Sequence, residues 1–152
     1  MRRLRDAVMA DAISVITWLH DPRDCRWATG QEAIDLDTFS RWMLADDQVG
    51  YLLEEDGTPL GYGEIWIDDE VRDCELAHLV VDPTRRRQGI GRQLTEALYQ
   101  VAQRRAPGWP VFMRVSPDNT GASACYQNVG FRPVTVLTPD MEAGWVWMSR
   151  EV

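Results

Sequence analysis

Val80-Val81-Asp82-Pro83-Thr84-Arg85-Arg86-Arg87-Gln88-Gly89-Ile90-Gly91-Arg92 carries a strand into a helix through a basic, glycine-containing loop. Upstream, Leu76 to Val81 is a near-continuous apolar run, as a strand covered on both faces requires, and Asp82-Pro83 stops it. Downstream, Leu94, Ala97, Leu98, Val101 and Ala102 recur at helical spacing, so a helix opens at the glycines and runs to Pro107-Gly108. Val111 to Val115 is the next strand, which completes a βαβ unit. The first turn of that helix offers unpaired N–H groups and the positive end of the helix dipole, and both attract anions. Gly89 and Gly91 lack a Cβ, so an anion can come close to the backbone. A glycine turn carrying solvated arginines is the alternative reading of the same residues.

Working outward, residues 1–6 read as a first strand. Val8, Ala12, Val15, Ile16 and Leu19 follow helical spacing until Asp21-Pro22 ends that helix. Residues 22–30 read as a loop, and Leu36, Phe39, Trp42 and Met43 as a second helix. The period then changes. Val49 to Glu54 and Leu60 to Ile67 are strands joined by Asp56-Gly57, a strong hairpin signal, and Asp68-Asp69-Glu70 makes the next turn. Past Val115, Asp118 or Asn119 caps a helix bearing Ala122, Cys125, Tyr126 and Val129, with Gly130 at its C-terminal end. Phe131 to Leu137 and Trp145 to Ser149 supply two last strands. Hairpins followed by βαβ units imply an α/β chain of the α+β type, residues 1–152 as one domain. Its sheet is mixed, mostly antiparallel, of about seven strands with helices on both faces.

At 152 residues, 45% hydrophobic and 26% charged, the chain has an ordinary globular composition. A formal charge of −8 argues against a nucleic-acid partner, which needs a surplus of Lys and Arg. The charge is compatible with a cationic partner such as an amine, although a solvated acidic surface is the commoner explanation. Within it, Arg85, Arg86, Arg87 and Arg92 form a local basic island. Cys25, Cys74 and Cys125 show no CxxC spacing, so neither a metal site nor a disulfide framework is expected. No apolar run approaches a membrane span, and Met1-Arg2-Arg3-Leu4-Arg5 does not lead into a signal-peptide core, so a cytoplasmic protein with no membrane partner is expected.

Other phosphate-binding loops fit badly. A Walker A loop needs a lysine after its glycines, and this chain contains none; all 16 basic residues are arginines. A dinucleotide fingerprint needs a third glycine where Leu94 stands. Arg86-x-x-Gly89-x-Gly91, following Val81-Asp82-Pro83, instead resembles the pyrophosphate loop of the GNAT superfamily of N-acetyltransferases. Asn119-x-x-Ala122-x-x-Cys125-Tyr126-x-x-x-Gly130-Phe131 is similar to that family's second cofactor segment, one helix and one strand later. Together they span residues 75–131.

The resemblance implies a GNAT-like acyl-CoA N-acyltransferase fold and an acetyl-CoA-dependent N-acetyltransferase without a metal. Backbone amides of Arg87, Gln88, Gly89, Ile90, Gly91 and Arg92, beside Arg86, would hold the pyrophosphate. Leu79, Val80 and Val81 would pair with the pantetheine arm as an added strand. Asn119 would bond the same arm, unless it serves as a helix cap, and Ser123 and Tyr126 would lie near the thiol end. The N–H of Leu79 or Val80 would polarise the thioester carbonyl, and Tyr126 would protonate the leaving thiolate. Glu75 matches the base of the family's histone-acetylating branch; alone in an apolar strand its pKa would rise, as a base needs. Other branches place the base five residues before the asparagine, where this chain has Arg114. Glu64 is a reserve base. His78 has suitable acidity but reads better as a packing residue.

Acceptor specificity is implied for residues 20–45 and 137–146. Trp18, Trp27, Trp42, Trp66, Trp145 and Trp147 could hold a cationic amine, with Asp68, Asp69 and Glu70 adding charge, although core packing and a solvated turn explain most of them. The acceptor is expected to be a primary amine of a small molecule or peptide, and a homodimer is left open. A non-catalytic CoA-binding sensor on the same fold is the competing reading; a blocked acceptor cleft would favour it.

Overall fold

Asp56 and Gly57 both adopt positive φ (50° and 83°), the backbone a two-residue turn needs to match the twist of its strands. They close a hairpin between β2 (Gln48–Glu55) and β3 (Thr58–Asp68). The structure, a computed structural model, describes residues 1–135 and 144–151. β1 (Arg2–Asp6) pairs with β2, and β4 (Asp73–Val81) with β3, both antiparallel. β5 (Val111–Val115) runs parallel to β4, and β7 (Val146–Arg150) joins β5 to β6 (Arg132–Val134) through antiparallel pairings. The result is one seven-stranded sheet in the order β1-β2-β3-β4-β5-β7-β6.

Alternation along the strands sends neighbouring side chains to opposite faces. Leu52 and Leu53 show it: each belongs to a different apolar cluster. α1 (Ala12–Trp18), α2 (Pro22–Thr29) and α3 (Leu36–Leu44) cover Leu52, Tyr62 and Val80 with Val15, Cys25 and Phe39. On the other face α4 (Ile90–Arg105) presses Ile90, Leu94, Leu98 and Ala102 onto Leu53 and Leu60. α5 (Thr120–Asn128) joins that cluster through Val129 and Phe131 just beyond its end. Among the described residues no helix is long and apolar enough to cross a membrane.

Three expectations need correction. Residues 22–30 are not a loop but contain α2, because Asp21 accepts hydrogen bonds from the N–H groups of Arg23 (2.8 Å) and Asp24 (3.3 Å). Pro22 stands in its first turn, and Gly30 takes positive φ (78°) at its end. α1 already ends at its Leu19 cap, and the Asp-Pro pair two residues further on starts α2. The strand expected from Phe131 to Leu137 begins at Arg132 and ends at Val134; residues 136 and 137 lie outside the described residues. β4 is not covered on both faces throughout, since Glu75, His78, Leu79 and Val81 are only half-buried. The cause is its neighbour: β4 and β5 pair only at Cys74↔Val111 and Glu75↔Phe112, then part.

One polar cluster pins β1 to the first helical turn. Arg5 grips buried Asp11 with two hydrogen bonds of 2.9 Å and reaches Glu54 at 3.0 Å. Burial pushes the Asp11 carboxyl up, but Arg5 and the Val8 N–H outweigh it and hold it below the usual carboxylate range. A depressed folded-state pKa gives stability above the unfolded value of about 3.9, lost as pH falls through the folded value. Arg5→Ala strands the buried carboxylate and is expected to cost about 3 kcal/mol in urea unfolding at neutral pH. Asp11→Ala should cost less, about 1.5–3 kcal/mol. The deficit of Arg5→Ala should shrink as the buffer is acidified through the Asp11 titration.

Candidate functional site

Where β4 and β5 part, a cleft of about 700 Å³ opens between β4, the start of α4 and α5. The N cap of α4 is Gly89, which has no side chain to offer. The first bond of the helix runs from the Gln93 N–H to the Gly89 carbonyl (3.1 Å), so the N–H groups of Ile90, Gly91 and Arg92 have no partner within the helix. Arg87 and Gly89 adopt positive φ (65° and 74°), a backbone that curls N–H groups into an anion-binding concavity. Arg86, Arg87, Gly89, Ile90, Gly91 and Arg92 all line the cleft. Gln88 does not; its carbonyl accepts a hydrogen bond from Arg2 (3.1 Å). At Gly91 a Cβ would stand 3.5 Å from Cys125 Sγ, so α4 and α5 meet closely there.

Leu79, Val80 and Val81 form the cleft's β4 wall. On one side Val80 pairs with Tyr62 and Val81 with Gly61; past Glu75 the opposite edge has no β5 partner. That free edge can take an extended chain as an extra strand. Between Glu64↔Ala77 and Tyr62↔Val80, His78 and Leu79 oppose Gly63 alone, which is a β-bulge, and His78 carries φ of 54°. From α5, Asn119 and Tyr126 face the cleft. Asn119 is also a cap: its Oδ1 accepts from the Ala122 N–H at 3.2 Å. Ser123 stands on the flank of α5 with Ser116 and Val146, outside the cleft.

A second, narrow cavity of about 80 Å³ adjoins the first, and Trp27, Ala28, Leu79 and Tyr126 line both. Its walls carry Glu75, His78 and Tyr126, and His78 is bonded in turn to buried Glu64. Glu75 is not the unpaired carboxylate of the sequence reading, because Arg114 Nε donates to it at 2.9 Å. Burial raises its pKa, Arg114 opposes, and the balance stays above the usual carboxylate range. Tyr126 is pushed above the usual phenol range by burial, with Cys125 adding to the effect. Buried Glu64 accepts from Tyr62 O–H (2.6 Å) and Trp66 Nε1–H (2.8 Å), and lies 3.0 Å from His78 Nδ1. His78 therefore lines the cavity in a hydrogen-bonded pair, where the sequence suggested packing.

Of the tryptophans, Trp27, Trp66 and Trp145 line the small cavity, while Trp18 and Trp42 pack in the α1–α3 cluster. Trp147 sits edge-on to Phe112. Asp68 accepts from the Glu70 and Val71 N–H groups in an exposed turn, apart from both cavities. Most of the expected acceptor hairpin 137–146 lies outside the described residues. The sequence reading left Asp24 and Ala28 in a loop and did not place them at the cleft, which they line together with Cys125 of the second cofactor motif. Reading Asp21-Pro22 and Gly30 as the two ends of a helix would have found the first two.

Residues 12–131 match the Acetyltransferase (GNAT) family. The chain is 27% identical over 161 aligned positions to an aminoglycoside N(6')-acetyltransferase type 1 of Klebsiella pneumoniae, covering 93% of this chain and 79% of that relative. Its backbone is similar to that of a spermidine N-acetyltransferase from Vibrio cholerae in complex with CoA and spermine (TM-score 0.82, 14% identity, 99% of this chain and 95% of that one). It is also similar to a ribosomal-protein-alanine N-acetyltransferase from Brucella melitensis (TM-score 0.79, 21% identity, 99% of both chains). At these identities the two structures bear on the fold.

Arg86 spans the cleft to α2, where it pairs with Asp24 at 2.7 Å. A half-exposed pair of this kind is worth up to about 1 kcal/mol. Asp24→Asn releases Arg86; if Arg86 then meets a cofactor phosphate, coenzyme A should bind about two- to fivefold tighter in calorimetry, an effect that fades at high salt.

Proposed function

The chain belongs to the acetyltransferase (GNAT) family, and on that footing we propose that it transfers the acetyl group of acetyl-CoA to a primary amine of a small molecule or peptide. The observation that carries this reading is the meeting of two cavities at Leu79 and Tyr126. A large cleft ends in an anion-binding helix start, and a narrow one, walled by Trp27, Trp66 and Trp145, opens onto its inner end. An open second cavity favours catalysis over a CoA-binding sensor. Its narrow bore suits the aminomethyl end of a substrate whose body stays outside.

In this arrangement the first-turn amides of α4 hold the pyrophosphate, and the free edge of β4 aligns the pantetheine arm with the thioester near Leu79. The N–H of Leu79 or Val80 polarises the carbonyl. The neutral amine attacks, a C–N bond forms, and the C–S bond breaks with its electron pair going to sulfur. Tyr126 acts as a relay. Its raised pKa keeps it protonated, yet makes donation to a thiolate, whose thiol titrates near ~8.5, unfavourable alone. Coupled to uptake of the proton shed by the newly acylated nitrogen, the exchange is balanced. The named relatives acetylate unlike amines, an aminoglycoside, spermidine and the alanine of a ribosomal protein. The segments around the narrow cavity are therefore where this chain's choice is made.

The test is an assay of free-thiol release from acetyl-CoA with kanamycin, spermidine and a peptide bearing N-terminal alanine. At least one should be acetylated well above the rate without amine; a flat response to primary amines would sink the reading. Tyr126→Phe is expected to lower kcat by roughly ten- to a thousandfold with little change in CoA affinity. Unchanged turnover would remove Tyr126 from the reaction.

A further inference from the structure

Two acidic side chains are deeply buried among the described residues, Asp11 and Glu64. Asp11 is matched by Arg5. Glu64 is 1% exposed, and the basic side chain it meets among the described residues is His78 rather than an arginine. Glu64 Oε2 takes the Tyr62 hydroxyl, while Oε1 takes both the Trp66 N–H and His78 Nδ1. Because Oε1 accepts the indole proton, the matching role for Nδ1 is donor. That leaves His78 Nε2 as the unprotonated nitrogen of the neutral ring.

The backbone agrees with this assignment. His78 occupies left-handed φ (54°) at the β4 bulge, a conformation that is strained for a non-glycine residue and persists only where its surroundings impose it. Trp42 stacks on one face of the ring at 4.1 Å, and Trp66 meets it edge-on at 5.1 Å. The bulge, the stack and the carboxylate together hold the imidazole in the wall of the narrow cavity. The other titratable groups there are Glu75 from β4, Arg114 from β5 and Tyr126 from α5. Glu75 and Arg114 are spent on each other.

We propose that His78, positioned by Glu64, is the base of the reaction: its Nε2 takes a proton from the acceptor's ammonium group, leaving the neutral amine that attacks the thioester. This rests on the amine-acetylation reading above. One N–H bond of the ammonium breaks and one forms at Nε2. The imidazolium, paired with the Glu64 carboxylate, returns its proton to solvent after product leaves, while the second nitrogen proton goes through Tyr126 to the thiolate. Nothing further is needed for balance.

The experiment uses the full chain, acetyl-CoA and the best amine of kanamycin, spermidine and the alanine peptide. His78→Asn, a residue tolerant of left-handed φ, should bind CoA normally yet lose about 10²–10⁴-fold in kcat and the acid limb of the kcat/KM profile. His78→Gly relieves the backbone strain and leaves a slot between Trp42 and Trp66; free imidazole should restore part of its activity, which a purely structural role would not predict. Glu64→Gln should lower kcat at least tenfold, with no rescue by imidazole. Independently of any acceptor, nitrogen NMR should find neutral His78 as the Nδ1–H tautomer, read against exposed His20, the only other histidine. An Nε2–H tautomer, or wild-type turnover by folded His78→Asn, would overturn the proposal. If wild type acetylates none of the three amines, the enzyme reading fails on its own, and the tautomer still decides whether the dyad exists.

Discussion

Two parallel strands that pair for two rungs and then separate govern this molecule. After Cys74↔Val111 and Glu75↔Phe112, β4 and β5 share no further backbone bonds. A buried, unpaired strand edge is costly, because each N–H and C=O kept from water needs a partner. The protein meets the need by leaving that edge open to a cleft that can admit an extended ligand. The chain order then supplies the rest. The helix after β4 must start at the end of the gap, so its unpaired amides point into it, and the helix after β5 closes the other wall with Asn119 and Tyr126.

The buried charges divide in the same way. Asp11 and its arginine tie β1 to the first helical turn, away from the cleft. Glu75 and Arg114 form a second matched pair within the narrow cavity's wall. Glu64 differs because its partner is a histidine, whose ring nitrogens can both give and take a proton, rather than a guanidinium. A pair that exchanges protons suits chemistry; a pair locked by arginine suits architecture. The contrast favours as base His78, three residues beyond Glu75 on β4 and bonded across to Glu64 on β3.

Much of the fold was legible because its signals are local. Asp56-Gly57 dictates a hairpin whatever surrounds it, and Gly89, at positive φ, marks the opening of α4 by backbone freedom alone. α2 was not read, because Asp21-Pro22 reads equally as the end of one helix or the start of the next, and eight residues leave little room for periodicity. The family resemblance implies Ser123 beside Tyr126 at the thiol end, yet the stripe facing the cleft includes Ala122, Cys125 and Tyr126, and Ser123 falls on its flank. Which stripe faces inward depends on how α5 leans on α4, which no single helix encodes.

By itself the sequence determined the order of strands and helices apart from α2, the helix-start loop from Arg86 to Arg92, and the family those segments resemble. Each depends on propensities and spacings within a few residues. Only the tertiary structure decided which side chains share a cavity. Arg114 lies 39 residues from Glu75 and His78 lies 14 from Glu64; both contacts exist because the sheet sets their strands side by side and a bulge turns one residue. Whether a carboxylate is a free base, half of an ion pair or a histidine's anchor depends on the atoms within hydrogen-bond reach. Those atoms come from distant parts of the chain, brought together by strand pairing.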